Sequence, residues 1–170
     1  MTLTVYFDGA CEWHTWADGS KHRNPGGIAT YGWLIRNGTS PRLAYGYGEV
    51  GRGGTISNNV AEYEAFIKAL EAIRDLDLGN QELLIHGDSK LVINQVNDHW
   101  AINKPHLQEF KNRVSSLLDE FPNQTSIQWI PGEQNQEADD LSKLAYNIAR
   151  REGDKGAWDK RFKVERIVSE

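Results

Sequence analysis

The run TLTVYFDGAC, Thr2 to Cys11, decides how the rest of the chain is read. Thr2, Val5, Tyr6 and Phe7 are β-branched or aromatic, and a short run of this kind reads as a buried strand that carries a single carboxylate, Asp8, at its end. Asp-Gly between extended segments is also a type I′ hairpin signal, in which an Asp is used only for its tolerance of positive φ. Whether Asp8 is a turn residue or a functional acid depends on whether other carboxylates arrive at equally awkward positions.

Working outward, residues 12–27, EWHTWADGSKHRNPGG, read as a long polar loop with Gly-containing turns. Ala29 to Arg36 forms a second strand, Asn37-Gly38 a hairpin connection, and Arg42 to Val50 a third strand, so the chain opens as an antiparallel meander. Beyond Gly54 the period changes to that of a helix, with Phe66, Ala69, Ile73 and Leu76 on one stripe. Extending that stripe backwards places Glu62 on it. A desolvated carboxylate must shift its pKa or find a cation; alternatively Asn59 caps the helix and Glu62 closes a capping box.

Leu83 to His86 is a short buried strand that hands over through Gly87 to Asp88, and a helix starts from Ser89. An Asp at this point either caps that helix or belongs to a ligand site of the sort that gathers at strand carboxyl ends. Pro105 starts a further helix whose buried face is Leu107, Phe110, Val114, Leu117 and Phe121. Trp100, in the connection before it, is either core filling or a stacking platform for a base. Thr125 to Ile130 alternates as a fifth strand, and Ala138 to Arg151 is the last helix. Asp139 and Asp140 open it, as acids do in a first turn. The order β-β-β-α-β-α-α-β-α implies an α/β fold with a five-stranded mixed sheet, a three-strand antiparallel meander plus two parallel strands, flanked by helices. Residues 1–150 form the expected domain, and 151–170 a tail that adds an edge strand or stays loose.

Composition narrows the partners. The chain has 170 residues, 39% hydrophobic and 25% charged, and no apolar run long enough to span a membrane. The N-terminus has no basic stretch followed by an apolar one, and a cytoplasmic location is expected. A single cysteine, Cys11, excludes an internal disulfide framework; Cys11, His14 and His22 lack the paired spacing of a zinc site. The net charge of −5 argues against holding nucleic acid by bulk electrostatics alone, so cations would have to mediate. Four carboxylates from four elements, Asp8, Glu62, Asp88 and Asp139, are tolerable together only around cations, and an all-oxygen set selects Mg²⁺ or Mn²⁺. Two such ions suit in-line displacement at phosphorus.

The motifs FDGA at 7–10, NPGG at 24–27, SNNVAEYEA at 57–65, GDSKLVINQV at 87–96 and NQEADDLSK at 135–143 occur in series, and together they resemble the ribonuclease H type 1 family over residues 1–150. The resemblance implies the ribonuclease H-like fold and a monomeric endonuclease that cleaves the RNA strand of an RNA–DNA hybrid, leaving 5′-phosphate and 3′-hydroxyl ends. It also implies Asp8, Glu62, Asp88 and Asp139 as catalytic, metal-binding carboxylates, with two Mg²⁺ or Mn²⁺ ions when substrate is bound. Asn24, Asn58 and Asn59 match positions that hold the hybrid backbone. The alignment of Ala-Asp-x-Leu selects Asp139 over Asp140.

The chain departs from the family pattern in three places. Glu12 to Arg23 is an insertion, with Trp13, Trp16, Lys21 and Arg23 suited to nucleic-acid contact. The basic, Trp-containing protrusion of many bacterial members is replaced by the short NDHWAINKPHLQEF at 97–110, for which Lys155, Lys160, Arg161, Lys163 and Arg166 are one substitute. The loop before the last acid lacks the usual histidine, and Glu133 is the nearest stand-in. Rival readings are another nuclease on the same fold, a binding module whose acids no longer work, and an enzyme that accepts several duplexes.

Overall fold

The computed structural model describes residues 2–13, 27–38, 41–53, 56–152 and 160–166. Its elements are β1 (Thr2–Trp13), β2 (Gly27–Asn37), β3 (Arg42–Gly53), α1 (Asn58–Asp75), β4 (Glu82–Gly87), α2 (Lys90–Val96), α3 (Pro105–Leu118), β5 (Thr125–Trp129), a 3₁₀ turn (Gly132–Gln134), α4 (Gln136–Glu152) and β6 (Lys160–Arg166). They form one mixed sheet in the order β5-β4-β1-β2-β3-β6 flanked by helices. β1, β2 and β3 are the expected meander, and β4 and β5 return parallel to β1 and β4. The sheet has six strands rather than five. β6 pairs antiparallel with β3 from Ala44↔Arg166 to Glu49↔Lys160, because an edge strand as long as β3 offers a free ladder and the segment KRFKVER alternates with period two.

Alternation along the strands divides the side chains between two layers. Leu3, Val5 and Phe7 of β1, with Tyr31, Trp33 and Ile35 of β2, meet Phe66, Leu70 and Ile73 of α1 in the larger core. Each large side chain so buried contributes about 1.5–3 kcal/mol. On the opposite face Leu34 meets Ala138 and Leu141 of α4, with Tyr6, Tyr45 and Tyr47 around them. Pro105 occupies the first turn of α3, as its lack of an N–H favours. Gly38, in the β2–β3 connection, has φ +62°, where a residue without Cβ is at ease.

Two local expectations are corrected. Asp8 does not end β1: the strand continues through Asp8-Gly9 to Trp13, with Asp8 opposite Gly32 and Gly9 opposite Tyr31 of β2, so there is no hairpin there. The last helix starts at Gln136 rather than at Ala138, since the polar residues before the apolar stripe already take helical geometry.

Candidate active site

The site is built where one strand stops and its neighbour continues. β1 and β4 pair in parallel only as far as Tyr6↔His86. β1 then carries on to Asp8, while β4 ends at Gly87 and releases Asp88, so the two carboxylates leave adjacent strands at the same height.

Glycines bring the helices to the same point. A Cβ on Gly9 would lie 2.2 Å from the Ala61 carbonyl oxygen and 2.6 Å from the Glu62 nitrogen, so only glycine lets α1 lie directly on β1 beside Asp8. On the other face, a Cβ on Gly32, the partner of Asp8, would lie 2.6 Å from the Ala138 carbonyl oxygen and 2.7 Å from the Ser142 nitrogen, which seats α4 with Asp139 beside the cluster.

Carboxylate oxygens of Asp8, Glu62 and Asp88 all lie within 4.8 Å of one another. Asp8 and Glu62 are buried, at 5% and 9% exposure. Burial, and then the negative charges of Glu62 and Asp88, push the Asp8 carboxyl far above the carboxylate range. Burial, and then Asp88, push Glu62 upward, against hydrogen bonds from Asp8 and the Gly9 N–H. Both shifts oppose full ionisation of the pair until a cation arrives. The second Glu62 oxygen, Oε2, is buried without a hydrogen-bond partner.

Asp139, the fourth acid expected, is not among the carboxylates within 4.8 Å of one another but is near enough to help raise the Asp8 carboxyl. Its Oδ2 also receives Lys143 Nζ at 2.8 Å and Gln136 Nε2 at 3.3 Å. Its neighbour Asp140 is exposed and receives Gln136 Nε2 at 2.8 Å.

The capping alternatives for the acids do not hold. Ser57, not Asn59, caps α1 by accepting from the Val60 N–H at 3.2 Å, which puts Glu62 two positions past the place a capping box needs. Ser89, not Asp88, caps α2 by accepting from the Val92 N–H at 3.3 Å. Both acids are therefore free of helix-end duty.

Of the expected substrate-binding residues, Asn58 Oδ1 accepts from the Cys11 N–H at 3.0 Å and so ties the start of α1 to β1 beyond Asp8. Asn59 sits half-buried in the first turn of α1. Asn24 lies outside the described residues, as do His14, His22 and residues 14–23 of the insertion. Cys11 is buried and its thiol is pushed up to about 11 by burial and by Glu12, which makes it a poor soft-metal ligand. Trp100 is 49% exposed and not core. Glu133 is exposed in the 3₁₀ turn.

One residue of the site escaped sequence reasoning. Asn135, fully buried, donates from Nδ2 to the Phe7 carbonyl at 2.9 Å, and its backbone carbonyl accepts the Asp139 N–H at 3.1 Å. It links the backbone just before Asp8 to that of Asp139. The available signal was an Asn directly before a helix, a preference that says nothing of what its side chain reaches.

The donor set fits a divalent cation. It is three carboxylates without Cys or His, two of them buried at a cost, and one oxygen without a partner. Clustered acids of this kind assist phosphoryl chemistry by holding cations against a phosphate.

Known proteins resemble the chain over most of its length. Residues 17–145 match the family model described as reverse transcriptase-like. The chain is 36% identical over 149 residues to ribonuclease HI of Halobacterium salinarum, covering 88% of this chain and 71% of that protein. The crystal structure of RNase H1 from the same archaeon superposes with a TM-score of 0.72 at 35% identity, over 88% of this chain and all of that one. LC11-RNase H1, solved in complex with RNA/DNA hybrid, gives 0.73 at 27% identity over 87% of this chain and 99% of its own. The bifunctional protein Rv2228c of Mycobacterium tuberculosis is 32% identical over 135 residues, which span 78% of this chain and 35% of that protein.

Proposed function

The chain belongs to the ribonuclease H type 1 family, and from that premise we propose that it is a cytoplasmic, monomeric endonuclease that hydrolyses the RNA strand of RNA–DNA hybrids. The observation that carries the reading is the group formed by Asp8, Glu62 and Asp88, with its buried, unpartnered Glu62 oxygen. Asp8, Glu62, Asp88 and Asp139 are the catalytic, metal-holding acids of this proposal. When bound, Mg²⁺ or Mn²⁺, two ions with substrate present, supplies the positive charge that activates water and stabilises the leaving oxygen.

What the chain itself does follows from its burial and hydrogen bonds. Asp8 and Glu62, whose carboxyls burial pushes upward, would hold a cation only once ionised. Asp139, held by Lys143 and Gln136 and less buried than Asp8 and Glu62, adds a fourth carboxylate to the set. Attack by water in line with the O3′ leaving group gives a 3′-hydroxyl and a 5′-phosphate.

Asn24, Asn58 and Asn59 recognise the hybrid by its backbone, where side-chain amides can hydrogen-bond the 2′-hydroxyl that DNA lacks. The Asn58 carbonyl oxygen is already engaged by Cys11, which fixes the amide and aims its NH₂ group. Recognition of this kind tolerates any base sequence. Residues 1–150 act as the catalytic domain, and β6 adds basic side chains to the tail.

The test is cleavage of end-labelled RNA–DNA hybrid, DNA duplex and RNA duplex with Mg²⁺, Mn²⁺ or EDTA, alongside Asp88→Asn. Ion-dependent cutting of the hybrid's RNA strand alone, lost in the variant, is the expected result. Absence of cutting with either ion would overturn it in favour of a binding module.

A further inference from the structure

Among the three clustered acids, Asp88 alone lies outside a helix or strand. Asp8 is held by the β1–β2 ladder and Glu62 by α1, whereas Asp88 follows Gly87, the residue type with the greatest backbone freedom, and precedes the first residue of α2 by two positions. Something else must fix the direction of its carboxylate.

The β4–β5 ladder provides part of the answer. Ile130 N–H donates to the Gly87 carbonyl at 2.9 Å, just beyond the last strand pair, Gly87↔Trp129. The next carbonyl, that of Asp88, is taken by a side chain: Trp129 Nε1–H donates to it at 3.0 Å. The indole thus adds one rung to the ladder at the residue that leaves it. The ring is 41% exposed and gains little from burial. Its orientation is set by this hydrogen bond and by Lys90, whose Nζ lies 4.8 Å from the ring centroid.

We propose that Trp129 is a positioning residue for the ion-binding cluster: its indole N–H clamps the backbone of Asp88 and so aims that carboxylate at the ion shared with Asp8 and Glu62. The inference rests on the reading of these three acids as ion ligands. Without the clamp, Asp88 samples other directions, and each ion bound must first restrict it. Lys90 serves the same end by holding the ring, and neither side chain has to touch the reacting atoms.

The experiment is calorimetric titration of Mn²⁺ into the metal-free full chain, as wild type, Trp129→Phe and Trp129→Ala. Phe keeps the ring and removes the donor, so losing one net hydrogen bond should weaken Mn²⁺ binding about two- to tenfold while metal-free unfolding stays cooperative. In cleavage assays the ion concentration for half-maximal rate should rise with little change at saturation, a split that a general loss of folding would not produce. Wild-type affinity in Trp129→Phe overturns the proposal, as does loss in Trp129→Ala alone, which would assign the effect to the ring.

A measurement on the wild type keeps the test open if the variants do not fold. The ¹⁵N-indole resonance of Trp129 should be slow to exchange with solvent and should move on titration with Mg²⁺; a freely exchanging, unresponsive indole overturns the proposal. Wild type that takes up no Mn²⁺ removes the ion-ligand reading and this inference together, whereas equal uptake by wild type and Trp129→Phe removes only the inference.

Discussion

Replacing Gly32 with alanine adds one methyl group at the point where α4 meets the sheet. Its Cβ would stand 2.6 Å from both the Ala138 carbonyl oxygen and Leu141 Cβ, and 2.7 Å from the Ser142 nitrogen. Two of these are backbone atoms of a helix and cannot swing aside like a side-chain tip, so α4 must retreat by most of an ångström to reach ordinary contact. Overpacking of this sort costs about 1–3 kcal/mol. For a chain of this size each kcal/mol lowers the melting temperature by about 2–4 °C, so a fall of roughly 2–12 °C is expected.

The larger effect is on the site, because the helix that retreats carries Asp139 and because Gly32 is the strand partner of Asp8. A displacement near 1 Å at a reacting centre costs on the order of 100-fold in rate. The assay is differential scanning fluorimetry together with hybrid cleavage, with Gly38→Asn as a control. At Gly38 φ is +62° and an added Cβ has nothing within 4 Å, so Asn is tolerated. A Gly32→Ala protein that melts and cleaves like wild type would refute the reasoning that close seating of α4 sets the site.

Three further outcomes follow from the cluster. In EDTA the folded protein binds protons more tightly at Asp8 and Glu62 than the unfolded chain does, whose values stay near the ordinary 3.8 and 4.5. The native state therefore holds more protons above that range, and stability falls as pH rises. Melting temperature in EDTA should be higher at pH 5 than at pH 8, Mg²⁺ should raise it at pH 8, and Glu62→Gln should flatten the dependence; a flat wild-type profile would refute the reading. Asp8→Asn should abolish cleavage yet melt at or above the wild-type temperature without metal, because the neutral amide fits among the other acids without the proton uptake that burial forces on Asp8, and cleavage at the wild-type rate would exclude Asp8 from the site. Asn135→Ala should cost about 1–3 kcal/mol by leaving the buried Phe7 carbonyl without its donor, and should lower cleavage further than the stability loss explains; chemical denaturation beside the cleavage assay checks both.

The meander, the helical stripe of Phe66, Ala69 and Ile73, and the start of α3 at Pro105 were legible because period and turn chemistry are local. So was the awkward place of Glu62 on its stripe. The mid-strand position of Asp8 was not, since Asp-Gly carries a strong turn signal and what overrides it is the Ala61 carbonyl pressed against Gly9, a contact between distant segments. The cap of α1 was read two residues late and that of α2 one residue early, because Ser57 and Ser89 stand beside Asn and Asp residues with similar capping preference. β6 was open in a tail of mixed charge whose pairing depends on the free edge of β3. The roles of Asn135 and Trp129 reside in hydrogen bonds across the fold, to Phe7 and to Asp88, and no periodicity reports those.

The early halt of the parallel ladder at Tyr6 and His86 has a consequence for the birth of the protein. The first acid is made near the start of the chain, the second on α1, the third only when β4 has docked beside β1, and Asp139 arrives with α4, close to the end. No single element holds two of these acids, and contacts between segments this far apart along the chain slow folding. A chain still being synthesised therefore lacks the full set of four acids that the proposed reaction uses until α4 has been made.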